Sequence, residues 1–199
     1  MSLTKISNNS LSAISTLPAS IPTGALTLLS TQTASSSASI EFTSGIDSTY
    51  DSYVFKFINL DPSGNNLFTF QGSTDGGSTY GVTITSTSFK AYHAENDSAA
   101  GLTYDTGNDL AQSTNYQRLA EGVGAGADES CSGYLQIFNP SSNTFVKHFI
   151  ARISAYEYSP YMFDYNTAGY FNTTSPINAF DFKFNTGTFD GIIKMYGVS

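Results

Sequence analysis

Few side chains in this chain could do chemistry. His93 and His148 are the two histidines, and they lie far apart in segments that are typical of strands. Cys131 is the single cysteine, and the carboxylates of Asp128 and Glu129 beside it are expected to raise the pKa of its thiol, which disfavours a nucleophilic role. The sequence contains no Gly-x-Ser-x-Gly elbow, no zinc-ligand spacing and no Walker loop. We therefore predict that the protein is not an enzyme.

Three loops carry residues that could hold a ligand. Segments 61–66 (DPSGNN) and 75–77 (DGG) offer oxygen atoms to Ca²⁺, but neither has the ligand count of a calcium loop. Segment 122–127 (GVGAGA) is similar to a nucleotide-binding glycine run, but no strong strand precedes it, and the carboxylates that follow would repel phosphate. We predict no cofactor and no bound metal. An acid pair among the 16 Asp and Glu residues, as in enzymes that degrade polysaccharides, is the enzymatic alternative.

The composition of the chain indicates the kind of protein that carries these residues. The chain has 199 residues, which fits one domain with an appendage. Charged residues make up only 12% of it, whereas Ser and Thr make up about a quarter, as suits an extracellular or particle-exposed protein. The net charge of −8 disfavours nucleic acid and anionic membranes as partners. We also expect no membrane span and no secretory signal, because no apolar run is long enough.

The clearest structural signal lies in segment 177–196. Phe180, Phe182 and Phe184 alternate there with charged residues, so three rings lie on one side of a strand. Turn-forming Asn-Thr-Gly follows, and a second β-favouring run then extends to the end of the segment. We interpret this pair of runs as a β-hairpin.

Similar short strands recur along the chain with turns at intervals of about 8 to 12 residues, and no long amphipathic helix interrupts them. We therefore predict an all-β fold, an antiparallel jelly-roll-like β-sandwich. Residues 1–24 are assigned to an N-terminal extended arm and residues 25–199 to the sandwich, with a long loop excursion at 95–130. The predicted core consists of Phe55, Phe57, Phe68, Phe70, Ile84, Phe89, Leu135, Ile137, Phe149, Phe180, Phe182 and Ile193.

The arm carries five aliphatic side chains among Ser and Asn, and two prolines end the pattern. It is either a frayed terminus or a segment that becomes ordered against a neighbouring subunit. We favour the second interpretation, because five aliphatic residues are more than a solvated tail needs. The predicted contact residues are Leu3, Ile6, Leu11, Ile14 and Leu17.

Segment 156–171 (YEYSPYMFDYNTAGYF) concentrates seven aromatic residues. Tyrosine combines a broad apolar body with a polar tip and is enriched at interfaces, so we predict a subunit contact here. A sugar-stacking platform and ordinary strand packing are the alternatives. The residues are Tyr156, Tyr158, Tyr161, Phe163, Tyr165, Tyr170 and Phe171.

Four segments resemble structural proteins of tailed bacteriophages, particularly those of marine bacteria. They are 45–57 (GIDSTYDSYVFKF), 133–140 (GYLQIFNP), 145–149 (FVKHF) and 191–197 (GIIKMYG). The resemblance covers most of residues 30–199, and its motifs are structural, so it implies a virion component without giving its position in the particle. The arm is similar to the attachment segments of fibres and capsid-decorating proteins.

From this resemblance we expect a non-enzymatic virion structural protein on the particle exterior, first of all a capsid decoration (cement) protein that stabilises the shell by subunit contacts. Its expected partners are the major capsid protein or tail components, together with copies of itself, a trimer being favoured. The alternative is a tail-fibre or receptor-binding module that recognises host surface glycans through the aromatic segment or the 95–130 loop.

Overall fold

Twelve β-strands account for the regular structure of residues 26–199. The computed structural model describes residues 26–199, so the predicted arm lies outside the described residues. All strand pairs are antiparallel, which confirms the predicted all-β class. Within residues 26–199 there is no helix long and apolar enough to cross a membrane. The strands are β1 (Thr27–Ser37), β2 (Ile40–Phe42), β3 (Ser52–Pro62), β4 (Asn66–Ser73), β5 (Ile84–Ala94), β6 (Ala100–Tyr104), β7 (Gln117–Val123), β8 (Cys131–Phe138), β9 (Lys147–Glu157), β10 (Tyr161–Phe171), β11 (Ala179–Phe184) and β12 (Phe189–Val198).

The strands form two sheets that pack face to face. The larger sheet has the order β1–β12–β3–β8–β9–β10–β5–β6, and the smaller sheet has the order β2–β11–β4–β7. One bridging pair, Val123 and Glu157, joins β7 to β9. The first strand pairs with the last and the second with the penultimate, while the chain passes back and forth between the sheets, as in the double Greek key of a jelly roll. The predicted jelly-roll-like sandwich is therefore confirmed.

Two inserted strand pairs widen the larger sheet. Strands β5 and β6 lie between β4 and β7 in the chain, and β9 and β10 lie between β8 and β11. Without these four strands, each sheet would have four strands. Strands β6 and β7 fall within the segment 95–130 that the sequence predicts as a loop excursion, and the longest loop left in that segment is 105–116.

The predicted hairpin at 177–196 is wrong. Strand β11 pairs with β2 and β4, whereas β12 pairs with β1 and β3 in the other sheet. The turn between them, which has Gly187 at φ +76°, therefore carries the chain across the sandwich. Alternation and turn residues show which side of each strand is apolar, but they do not distinguish a hairpin from a corner that crosses the core. The two strands still meet at Phe184 and Phe189, whose ring centroids are 5.5 Å apart.

Phenylalanine rings from both sheets fill the interior. Phe182 of β11 has its ring centroid 4.9 Å from that of Phe55 and 5.3 Å from that of Phe57, both on β3 in the facing sheet. Phe70 of β4 meets Phe149 of β9 in the same way at 5.2 Å. Each buried phenylalanine contributes about 1.5–3 kcal/mol through its removal from water. All but one of the predicted core residues are buried.

Replacement of Phe182 by Ala tests this centre of the core. The variant should unfold with a free energy lower by about 3–5 kcal/mol, because the lost ring leaves a cavity that its neighbours cannot fill. Urea denaturation measures the change. Phe145→Ala is the matched control, since that ring is 69% exposed, and the variant should differ from the native protein by less than about 0.5 kcal/mol. Equal losses in the two variants would contradict the account of the core.

Candidate functional site

The aromatic segment does not form one exposed surface. Three of its seven residues are buried on the inward side of β10: Phe163, Tyr165 and Phe171. The other four keep part of their surface exposed: Tyr156, Tyr158, Tyr161 and Tyr170. The contact of these tyrosines with another subunit stays a prediction. The same holds for the arm, whose residues lie outside the described part of the chain: Leu3, Ile6, Leu11, Ile14 and Leu17.

The histidines and the cysteine do not come together. His93 and His148 project from the same face of the larger sheet, but their partners on β10 are Met162 and Tyr170, which are ~27 Å apart along the strand. Cys131 is buried, and burial raises the pKa of its thiol. The sequence therefore predicts the direction of this shift correctly but attributes it to the neighbouring carboxylates. In the part of the chain that the structure describes, no group of three His, Cys, Asp or Glu side chains could hold a metal ion.

The acidic turn at residues 75–77 anchors a loop. The Asp75 carboxylate accepts hydrogen bonds from the hydroxyls of Ser73 and Thr79, each at 2.6 Å, and from the backbone N–H of Thr79 at 2.9 Å. The hydrogen bonds from Ser73 and Thr79 lower the pKa of Asp75 to about 2. Its oxygens are thus engaged by donors that hold the loop at 74–83, so this turn has a structural role.

The outer face of the larger sheet carries exposed apolar side chains among polar ones, which include the Arg152–Asp164 ion pair and the opposed Lys56 and Lys194. Nine of its large apolar side chains are more than a third exposed, and we call this set the apolar face: Leu28, Ile58, Phe89, Leu102, Tyr104, Tyr134, Phe138, Ile150 and Met162. They come from seven strands of the sheet, and strand pairing brings neighbours together, as where Phe89 lies opposite Tyr104. A concentration of exposed large apolar side chains on one side of a protein is typical of a site of interaction.

Strand β5 has its polarity reversed. Phe89, which the sequence predicts to be in the core, projects outward and is 45% exposed, whereas the adjacent Lys90 points inward. There its Nζ lies 3.3 Å from an Asp105 oxygen and hydrogen-bonds to Glu121. Burial lowers the pKa of Lys90, but the hydrogen bond and charge of Glu121, with the charge of Asp105, outweigh burial and raise it overall. The prediction for Phe89 is wrong because this strand buries an ion cluster and turns its aromatic side to the surface.

A polar cleft of about 500 Å³ opens on the opposite side of the sandwich. Its floor is one row of the smaller sheet, in which Thr69 of β4 lies between Lys183 of β11 and Arg118 of β7. Two strand spacings separate the backbones of the two cations, which is ~10 Å. The loop at 105–116 forms a wall. We define this polar cleft by Thr69, Asn108, Asn115, Tyr116, Arg118 and Lys183.

The polar cleft holds two cations, Lys183 and Arg118, that form no ion pair within residues 26–199. Lys183 Nζ lies 3.8 Å from the centroid of the Tyr116 ring, and Arg118 donates to a backbone carbonyl at 2.7 Å. Among the described residues, neither cation has a carboxylate oxygen within 4.0 Å. Asn108 is buried beside them and donates to Asp105 at 2.7 Å, while its own Oδ1 has no hydrogen-bond partner. The cleft therefore offers two cations outside any ion pair, although the charge of Lys183 acts on Asp181, together with an acceptor that has no donor among residues 26–199.

Asp181 lies behind the Tyr116 ring. Its Oδ2 accepts a hydrogen bond from the Tyr116 hydroxyl at 2.8 Å, and its Oδ1 is buried without a partner. Burial raises the pKa of Asp181, although the hydrogen bond from Tyr116 and the charge of Lys183 oppose this shift. Glu41 lies directly opposite Asp181 on β2 and contributes a like charge. Asp181 is thus a carboxylate whose charged form is disfavoured by its surroundings.

Comparison of the chain with family models, with curated proteins and with solved structures finds no match. Function therefore has to be inferred from the apolar face and the polar cleft. Sequence patterns missed both surfaces. Arg118 and Lys183 are far apart in the chain, and nothing local signals that Thr69 lies between them. The alternation around Phe89 and Lys90 is visible in the sequence, but the sequence does not show which of these two side chains points into the core.

Replacement of Asp181 by Asn should raise the free energy of unfolding at pH 7. Because the folded-state pKa of Asp181 is raised, the stability that it contributes is fully present below its unfolded value of 3.8 and is lost as the pH rises through the folded value. The neutral amide of Asn removes this loss of stability, and its Oδ1 can still accept the hydrogen bond from the Tyr116 hydroxyl. The gain in the free energy of unfolding should therefore shrink as the pH is lowered from 7 to about 3.5, as measured by chemical denaturation.

Asp128→Asn is the control for this pH dependence, since Asp128 is exposed. Its effect on unfolding should be small and similar at both pH values. A loss of stability in Asp181→Asn that is larger at neutral than at acidic pH would contradict the assigned environment of this carboxylate.

Proposed function

We propose that the protein is a non-enzymatic structural subunit of a phage particle, and that it docks on the outside of the capsid as a decoration protein. The apolar face is the observation that carries this proposal. It places nine large apolar side chains on one side of the molecule, in a chain that is otherwise acidic and rich in hydroxyl groups. Such a distribution fits a protein with one side buried against a partner and the rest in water.

The outer face of the larger sheet is broad enough for stable docking. Seven strand spacings and the eleven-residue length of its longest strands give the whole face, polar residues included, at most roughly 34 Å by 36 Å. That is ~1,200 Å², so the ~800 Å² that each partner of a typical stable complex buries would occupy about two thirds of it. Burial of even part of this area would hold the subunit on the shell, and contact with two capsomers at once would resist their separation.

The reversed strand β5 supports docking through this side of the molecule. Burial of the charges of Lys90, Asp105 and Glu121 carries a desolvation cost. If the outer face were only solvated, an aliphatic residue at the inward position 90 would avoid this cost. The reversal leaves Phe89 available to a partner. We infer that the partner is the shell protein, with contacts between copies of this chain, in a trimer by preference, at the margin of the face.

Charge placed on the apolar face should release the protein from the particle. We expect Ile150→Glu and Leu102→Glu each to lower the number of copies per particle about tenfold, because a carboxylate cannot be buried against an apolar partner without a large cost. These side chains are 40% and 73% exposed, so both variants should fold. Quantitative gel analysis of purified particles, assembled with each variant in place of the native protein, measures the occupancy.

Phe145→Glu is the matched control, because Phe145 is an exposed ring outside the apolar face. It should remain at native occupancy. If the two face variants fold, as judged by their thermal unfolding, and still occupy particles fully, docking through the apolar face is wrong.

A tail-fibre or receptor-binding module is the second candidate, and the polar cleft favours it, since the loop at 105–116 lies within the segment expected to recognise glycans. Copy number separates the two candidates. Decoration requires a number that matches the capsomers of the shell, whereas a tail part is present at the low multiplicity of the tail.

A further inference from the structure

We propose that the polar cleft binds an acidic saccharide, that is, a sugar that carries a carboxylate beside its ring hydroxyls. This site lies on the smaller sheet, on the opposite side of the sandwich from the apolar face, and it adds a binding activity to the proposed structural role. Three features of the cleft carry the inference: its two unpaired cations, its unsatisfied acceptor and its size.

The unpaired cations select for negative charge. Lys183 is held over the Tyr116 ring, with its Nζ 3.8 Å from the centroid, and Arg118 is tied to a backbone carbonyl at 2.7 Å. Both side chains are therefore positioned without being neutralised by a carboxylate within 4.0 Å in the described part of the chain. A bound carboxylate would accept charge-assisted hydrogen bonds from either of them.

The unsatisfied acceptor selects for hydroxyl donors. Asn108 is only 2% exposed and lines the cleft, and its Oδ1 has no hydrogen-bond donor. Buried acceptors in folded proteins are nearly always satisfied, and this atom has less than 1 Å² of accessible surface, so a donor from a ligand should reach it only when binding displaces part of the loop at 105–116. A simple anion such as sulfate or acetate brings no donor, whereas a sugar hydroxyl does. The side-chain amides of Asn115 and Asn185 at the rim can bind further hydroxyl groups.

The size of the cleft fits this ligand. Its volume of about 500 Å³ lies in the ordinary range of pockets for small molecules, about 300–1,000 Å³. Leu67 and Leu110 supply apolar surface between the polar groups, against which the carbon face of a sugar ring can pack. A neutral sugar would leave the cations unused, and a bare anion would leave Asn108 unsatisfied.

Binding of trigalacturonic acid to the full-length protein tests the proposal, with the fully methyl-esterified trisaccharide as its uncharged counterpart. Titration followed by NMR or calorimetry, up to about 10 mM ligand, should show saturable binding of the acid and at least tenfold weaker binding of the ester. Lys183→Gln and Arg118→Gln should each weaken binding of the acid about tenfold, because each removes one charge-assisted contact.

Lys194→Gln is the matched control, since Lys194 lies in the larger sheet, away from the polar cleft, and the substitution changes net charge equally. It should leave binding within about twofold of the native protein. The proposal is overturned if trigalacturonic acid does not bind, if the ester binds equally well, or if Lys194→Gln weakens binding as much as Lys183→Gln. Equal binding of sodium acetate alone would also overturn it, because the sugar hydroxyls would then contribute nothing. Particle occupancy does not enter this test, so its failure leaves the docking proposal standing.

Discussion

The packing of phenylalanine rings between the two sheets is the constraint on which the rest of the structure depends. Phe182 meets Phe55 of the facing sheet at 4.9 Å, and Phe70 meets Phe149 at 5.2 Å. Because successive residues of a strand point to opposite sides, these inward rings determine that their neighbours point outward. A register shift by one residue would empty the core, so the fold determines which residues of each strand face outward. The polar cleft and the apolar face are thus both positioned by one aromatic core.

The two outer surfaces differ in the partner that each can accept. The apolar face is broad and lies on a sheet that the inserted strands widen to eight, so it suits a macromolecular surface. The polar cleft is recessed, charged and incompletely hydrogen-bonded, so it suits a small hydrophilic ligand. The reversed strand β5 links these features, because Lys90 on its inner side pairs with Asp105, and the Asp105 carboxylate also accepts a hydrogen bond from Asn108 of the cleft.

The sequence predicts the fold better than it predicts the sites. Alternation identifies the all-β class, and eleven of the twelve core residues that it names are buried, because a period of two is a local property of each strand. It does not reveal which strands pair, so the segment at 177–196 is taken for a hairpin although its two strands lie in different sheets. It also does not reveal which side of a strand is inside, which explains the error at Phe89. The polar cleft could not be found at all, since Arg118 and Lys183 meet only through the pairing of three strands.

Protection of the apolar face on the particle is the central claim of this account, and cysteine labelling tests it most directly. Cys131 is buried and its thiol pKa is raised, so the native protein should not react measurably with a maleimide reagent. A cysteine introduced at Leu102 should react rapidly in the free protein and be protected on the particle, whereas one at Phe145 should react in both states. Equal reactivity at position 102 in the free and particle-bound protein would contradict the account.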